Sequence, residues 1–214
     1  MGRTLIEVCV DGVDRAVAAA SEGADRLELN AAMELDGLTP SLGVIREVLD
    51  RVAIPVIVTV RPRGGDFVYS ALEIEAMVRD IALLSQEGVT GVAFGALRPD
   101  GALDSEACAR MIGAATAMET VLNRAIDASP DPLAVAEAAV ELGFSRLLTS
   151  GGAPHAPEGL ATLAAMQQRF GDRVGILPAG GIRAANVAEL VTATGVREVH
   201  GTFREGVAAI RGAL

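Results

Sequence analysis

Residues 55–67, Pro-Val-Ile-Val-Thr-Val-Arg-Pro-Arg-Gly-Gly-Asp-Phe, join an apolar run to two arginines, two glycines and an aspartate. The β-branched run predicts a strand buried on both faces, as in a parallel sheet, with Arg61 and Arg63 at its carboxyl end. Planar guanidinium groups suit carboxylate or phosphate oxygens, and glycine lets a ligand approach the backbone. We interpret the segment as an anion site. The alternative is an arginine–Asp66 ion pair that stiffens a turn.

Further polar residues follow other apolar runs, and together they suggest a site for proton transfer and ligand binding. The candidates for proton transfer are Glu7, Glu28, Asp127 and His200. The candidates for ligand binding are Arg61, Arg63, Asn123, Arg124, Ser150, Gly180 and Gly181. Cys9 is the candidate metal ligand. Imidazole titrates near neutrality, so His200 suits a general acid or base, with a hydrogen-bonded core histidine as the alternative.

The charged residues predicted within the strands could instead have a purely structural role. Glu7, Glu28, Arg61 and Arg124 can cancel one another as ion pairs inside a barrel. Against this, Gly180 and Gly181 follow a predicted strand and would bring backbone N–H groups to the same place, a common phosphate-binding arrangement.

Short β-rich runs alternate with helical segments along the whole chain, and these elements must position the site. The predicted strands are residues 5–10, 26–30, 56–61, 91–95, 120–124, 146–150, 174–178 and 198–201. The predicted helices are residues 12–22, 42–51, 71–87, 105–114, 132–142, 157–170 and 185–194. Eight such units predict a TIM (β/α)8 barrel, with residues 1–214 as one domain and active residues at the carboxyl ends of the strands. A doubly wound open sheet is the alternative, but no Gly-x-Gly-x-x-Gly follows the first strand.

Composition excludes several classes of function. The net charge of −10 argues against nucleic acid as a partner. All 18 basic residues are arginine, which excludes Schiff-base aldolases, pyridoxal-phosphate enzymes and P-loop NTPases, because each needs a lysine. Two cysteines are too few for a disulfide framework, and no zinc-ligand spacing occurs. No stretch is long and apolar enough for a membrane span, and residues 1–8 lack a signal-peptide core, so we expect no membrane partner and a cytoplasmic location.

Six segments, in order, resemble the CutC family of copper-homeostasis proteins, and the resemblance covers nearly the whole chain. The segments are residues 7–11, 23–29, 39–41, 61–67, 94–97 and 148–151. The resemblance implies a TIM barrel, a cytoplasmic location and a link to copper tolerance.

Two departures from the family pattern bear on its chemistry. Asn30 stands where members often carry a second cysteine, and Asn123 stands where they usually carry a histidine. Cu(I) favours paired soft ligands, so no cofactor is certain, and we expect weak copper binding at Cys9 unless Met33 or another subunit contributes. Three functions stay open: an enzyme acting on a small anion, a copper-binding protein, and a regulatory barrel that binds a ligand without turnover.

The short segment after the last predicted strand bears on assembly. Residues 204–214 form about three helical turns, fewer than are needed to cover the barrel wall near the last and first strands. Exposed apolar sheet is costly, so we predict a homo-oligomer that covers this wall.

Overall fold

Eight strands alternate with eight α-helices in the computed structural model, which describes residues 3–202 and 206–214. The strands are β1 Leu5–Val10, β2 Arg26–Leu29, β3 Val56–Thr59, β4 Gly91–Phe94, β5 Glu119–Leu122, β6 Arg146–Thr149, β7 Gly175–Pro178 and β8 Glu198–Thr202. The helices are α1 Val13–Ser21, α2 Leu42–Leu49, α3 Ala71–Leu84, α4 Ser105–Ala115, α5 Pro132–Leu142, α6 Leu160–Phe170, α7 Val187–Thr194 and α8 Val207–Ala213. Short 3-10 helices cover Met33–Leu35, Arg124–Ala128 and Ala156–Glu158.

All strand pairings in the described residues are parallel, and they follow the order β7-β6-β5-β4-β3-β2-β1-β8. The two edge strands, β7 and β8, lie next to each other, so the sheet curls into a nearly closed barrel. The predicted TIM barrel is confirmed. Its loops at the carboxyl ends of the strands surround one mouth, where barrel enzymes place their active residues.

Apolar side chains pack in two places. The larger core lies between the outer face of the sheet and the helices, and α3 contributes Ile74, Met77 and Ile81 to it at helical spacing. A smaller apolar cluster lies inside the barrel on β3 to β7; its members are Ile57, Ala93, Val121, Leu148, Leu177 and Ala179. On β8, β1 and β2 the interior is charged instead. The barrel interior therefore has an apolar half and a polar half.

Local capping explains where the helices begin. Ser70, Asp104 and Asp131 each accept a hydrogen bond from the third residue of the helix that follows, and Ser70 forms a capping box with Glu73. The predicted helix 185–194 starts later, at Val187, after Asn186. The predicted helix 71–87 ends at Leu84.

The predicted gap in the barrel wall is absent from the described residues, so the argument for an oligomer from exposed sheet is wrong. Val207 and Ile210 of α8 are buried, and Ile210 packs over Gly201 of β8. Residues 198–201 are buried in turn. The first residues of the predicted 204–214 segment lie outside the described part, and the oligomer itself stays a prediction. Among the described residues, no helix combines the length and hydropathy that crossing a bilayer requires.

Candidate active site at the barrel mouth

A cavity of about 480 Å³ opens at the carboxyl ends of the strands. Its polar walls include Glu28, Arg61, Arg124, Asp127 and His200. The lining also includes the apolar side chains of Met33, Phe67, Leu148, Ala179 and Ile182. A concave site that combines apolar walls with converging polar groups is typical of a small-molecule site.

His200 lies on the cavity wall, and a carboxylate behind it fixes its ring. Nδ1 of His200 lies 2.8 Å from Oε1 of Glu7, while the other oxygen of Glu7 accepts a hydrogen bond from Nε of Arg26. Glu7 and His200 are directly paired across β1 and β8, which is why their side chains meet. Glu7 does not line the cavity, so it contacts His200 rather than a ligand.

The pKa values of this pair shift in opposite directions. Burial alone raises the pKa of Glu7, but the hydrogen bond from His200 and the charge of Arg26 outweigh it and lower the pKa to about 2. Burial alone lowers the pKa of His200, but the hydrogen bond to Glu7 and the charge of Glu28 outweigh it, and the pKa is raised. Glu7 therefore stays ionised at neutral pH, and His200 is the group of the pair that can exchange a proton there.

Glu28, Asn30 and Cys9 form a compact polar group beside His200. Nε2 of His200 is 3.7 Å from Oε2 of Glu28, and that oxygen accepts a hydrogen bond of 3.0 Å from Nδ2 of Asn30. The same amide lies 3.2 Å from Sγ of Cys9. One ligand atom from each of Cys9, Glu28 and His200 lies within 4.8 Å of the others, a spacing that can hold a metal ion.

Met33 places a second sulfur next to Cys9. Its Sδ lies 3.6 Å from Sγ of Cys9, on the 3-10 helix that follows β2. Burial, together with the charge of Glu28, raises the pKa of Cys9 well above its usual value, so the thiol is protonated at neutral pH. A metal ion must therefore displace this proton.

Arg61 lines the cavity, but backbone carbonyl groups occupy its two terminal nitrogens. Nη1 donates to the carbonyl of Leu35 at 2.8 Å, and Nη2 donates to that of Gly65 at 2.8 Å. The guanidinium lies 4.8 Å over the ring of Phe67. Nε is buried without a partner among the described residues. Arg61 holds two loops together and is a buried cation with no carboxylate partner in the described part of the chain.

The structure separates Arg63 from the other two arginines predicted to bind the ligand, Arg61 and Arg124. Its Nε donates to Glu73 at 2.6 Å and its Nη2 to Asp66 at 3.1 Å, and it does not line the cavity. The ion pair with Asp66, given above as the alternative, is therefore present. Arg63 diverges because Pro62 and the two glycines turn the chain away after Arg61.

Asp127 and Arg124 organise the loop after β6. Asp127 accepts hydrogen bonds from Thr149 Oγ1 at 2.6 Å and from the N–H groups of Ser150 and Gly152. It also pairs with Nε of Arg124 at 2.8 Å, so its oxygens are fully used and it is poorly suited to move protons. Arg124 is 42% exposed and also donates to Ser150 Oγ at 3.0 Å. This guanidinium faces the cavity with part of its surface free.

Gly180 and Gly181 lie on the cavity wall opposite Asn123, and both have positive φ. A Cβ on Gly180 would lie 3.5 Å from Nη1 of Arg124, so the glycine backbone and Arg124 share one region. In the described residues, no acceptor pairs with the N–H groups of these glycines. Asn123 accepts a hydrogen bond from Ala125 N and starts the 3-10 helix that carries Arg124.

Sequence reasoning missed Arg26 and Thr59. Arg26 opens β2 two residues before Glu28, so the alternation of strand side chains placed it on the same interior face. Thr59 lines the cavity with a buried hydroxyl that has no partner among the described residues. None of Glu7, Glu28, Arg61 and Arg124 pairs with another of the four in the described residues.

A parallel eight-stranded barrel with a polar cavity at the carboxyl ends of its strands defines a TIM-barrel protein. The sequence model of the CutC family matches residues 4–205, and the chain belongs to that family. A CutC family protein from Caulobacter vibrioides is 45% identical over 94% of this chain and 82% of its own. The human copper homeostasis protein cutC homolog is 42% identical over 94% of this chain and 73% of its own. The crystal structure of CutC from Streptococcus agalactiae matches with a TM-score of 0.87 at 30% identity, covering 92% of this chain and 98% of that one.

Proposed function

We propose that the chain binds a small carboxylated or phosphorylated molecule in the cavity and transfers a proton to or from it through His200. The observation that carries this proposal is the contact of His200 Nδ1 with the ionised Glu7. That contact leaves Nε2 as the ring nitrogen for a ligand. A histidine held by a buried carboxylate and opening onto a cavity is the usual arrangement of a general acid or base.

The anionic end of the ligand is assigned to Arg124, Gly180 and Gly181. Arg124 lines the cavity with a side chain that is 42% exposed, whereas Arg61 is enclosed by carbonyl groups. The glycine N–H groups beside it have no acceptor among the described residues. Backbone N–H groups and a guanidinium together favour carboxylate or phosphate oxygens. Arg61, which also lines the cavity, adds a positive charge that has no carboxylate partner among the described residues.

Glu28 is the second group within reach of the reacting atom. Its carboxylate lines the cavity 3.7 Å from Nε2 of His200, so a bound ligand can contact both. We assign proton transfer to His200 and Glu28, and we assign Glu7 and Asp127 to holding His200 and Arg124. Both described cysteines are free thiols, which supports the expectation of a reducing, cytoplasmic setting.

A metabolite library restricted to small carboxylates and phosphate esters tests the proposal. A ligand is identified by a rise in melting temperature, and its conversion or exchange of protons with D2O is followed by proton NMR. We expect His200→Gln to abolish turnover or exchange and to retain the thermal shift. Arg63→Gln, which alters a side chain outside the cavity lining, is the control and retains both. Turnover that survives in His200→Gln contradicts the proposal.

Copper binding is a second candidate function, and the contact between Cys9 and Met33 favours it. The two sulfurs, which are 3.6 Å apart, would hold the ion together. Thiolate, thioether and imidazole suit Cu(I), and Cys9, Met33 and His200 line the same cavity, so the residues present fit the ion. Competition with a Cu(I) chelator under reducing conditions tests this, with Met33→Leu and Cys9→Ser each expected to weaken binding. Affinity unchanged in both variants excludes the site.

A further inference from the structure

A chain of alternating charges starts in the polar half of the barrel, below the cavity, and crosses to Arg146 of β6 and Glu119 of β5. Glu7 contacts His200 above it and Arg26 below it. Nη2 of Arg26 donates to Oε2 of Glu198 at 2.7 Å, and that oxygen also accepts a hydrogen bond from Nε of Arg146 at 3.1 Å. These contacts connect the site to the amino-terminal end of the barrel.

The far end of this chain is closer to solvent. Arg146 also pairs with Glu119, whose side chain is 39% exposed, and Arg146 lines a second cavity of about 260 Å³. Glu7, Arg26 and Glu198 are buried between the two ends. Burying these charges is costly unless every member is paired.

Arg26 is the member that sets the geometry of Glu7. Its planar guanidinium contacts Glu7 through Nε and Glu198 through Nη2, so two carboxylates from different strands hold it in one plane. The contact takes Oε2 of Glu7 and leaves Oε1 for His200. Each oxygen of Glu7 therefore has its own partner, and the two contacts fix the orientation of the carboxylate. The orientation of His200 follows from a residue that touches neither the ring nor the cavity.

We infer that Arg26 is a positioning residue for the site: through Glu7 it fixes the His200 ring with Nδ1 directed to Glu7 and Nε2 directed to the cavity. Other groups that face His200 are Glu28 and Cys9, and neither contacts Nδ1. The inference rests on the proposed function only in assigning His200 to the site. A network with a purely structural role would stabilise the barrel without determining which ring nitrogen reaches the ligand.

The NMR signal of the proton on Nδ1 of His200 reports the orientation of the ring directly. An imidazole proton held by a buried carboxylate exchanges slowly and resonates downfield of the amide protons. The chain has two histidines, so labelling the imidazole nitrogens with 15N gives an assigned signal for His200, with His155 as an internal reference. No ligand is needed. A negative result here therefore leaves the identity of the ligand and the role of His200 to the turnover experiment.

Arg26→Met combined with Glu198→Gln removes the guanidinium and one negative charge together. We expect the protected His200 signal to be lost in this double variant, as in Glu7→Gln. Arg26→Lys retains the charge but cannot contact both carboxylates in one plane, so we expect an intermediate upfield shift. Arg146→Met is the matched control, because it removes a charge of the same chain without contacting Glu7, and the signal stays unchanged.

Arg26→Lys decides the question if the double variant does not fold. A wild-type His200 signal in either folded Arg26 variant overturns the inference, because Glu7 would then hold the ring unaided. Loss of the signal in Arg146→Met also overturns it, since the signal would then report general disruption of the barrel. Circular dichroism on each sample establishes that it is folded.

Discussion

Nδ2 of Asn30 lies 3.2 Å from Sγ of Cys9, so position 30 directs its side chain at the candidate metal ligand. Replacing Asn30 with cysteine puts a second thiol beside the first, and paired thiolates bind Cu(I) more strongly than a thiol and a thioether. We expect Asn30→Cys to raise Cu(I) affinity at least about tenfold, or about 1.4 kcal/mol. Chelator competition under reducing conditions measures it.

Asn30→Ser is the control for this substitution. It removes the amide without adding a sulfur, so it separates the effect of the thiol from that of losing the hydrogen bond to Glu28. An equal rise in affinity for serine and cysteine would show that the second thiolate plays no part.

Arg124 and Arg63 should differ in their effect on anion binding. Arg124→Gln removes the partly free guanidinium beside Gly180, and we expect at least a tenfold loss of affinity for the ligand found in the library. Arg63→Gln breaks the pairs with Glu73 and Asp66 outside the cavity, and we expect unchanged affinity. Isothermal titration calorimetry compares them. Lost binding in Arg63→Gln would show that Arg63 contacts the ligand, as predicted from the sequence.

The lowered pKa of Glu7 makes part of the free energy of unfolding depend on pH in the acidic range. Its pKa falls from 4.5 to about 2 on folding, so its stabilisation is complete above about pH 4.5 and disappears as the pH falls through 2. A shift of this size corresponds to about 3 kcal/mol. Urea unfolding between pH 7 and pH 2 should show a flatter pH dependence for Glu7→Gln than for the wild type, beginning from a lower stability at neutral pH. Parallel curves for the two proteins would rule out this contribution.

Asp127 should be needed to build the loop after β6. Asp127→Ala leaves the N–H groups of Ser150 and Gly152 and the hydroxyl of Thr149 without their shared acceptor. Because the acceptor is charged and buried, we expect a loss of about 3 kcal/mol in the free energy of unfolding. Asp127→Asn retains one acceptor oxygen and should cost less. Equal losses would indicate that packing rather than hydrogen bonding dominates.

The barrel was predictable because its signals are local and repeated. Gly143 and Gly195 end helices in the left-handed conformation, and capping residues such as Asp131 mark where helices start. Glu7 and Cys9 are two residues apart on β1, so strand alternation puts them on one face. Such rules predict the secondary structure of each residue from its neighbours in the chain. Because the strand–helix unit repeats eight times, an error in one unit does not change the predicted fold.

The partners of the polar residues were less predictable. Arg61 and Arg63 are two residues apart in similar surroundings, yet Arg61 is enclosed by carbonyl groups of the loop after β2 and Arg63 pairs with α3. The choice depends on how distant loops pack, and no local pattern encodes it. Arg26 was not predicted because it lies at the start of β2, whereas active residues of barrel enzymes lie at the carboxyl ends of the strands.

The division of the barrel interior into apolar and charged halves constrains how the sequence can diverge. Ile57, Val121 or Leu177 can each be exchanged for another aliphatic residue of similar volume at small cost. Arg26 cannot change alone at small cost, because its loss takes one charge partner from each of two buried carboxylates, Glu7 and Glu198. Single substitutions should therefore accumulate in the apolar half of the barrel interior. Substitutions among the charged residues should instead occur as compensating pairs.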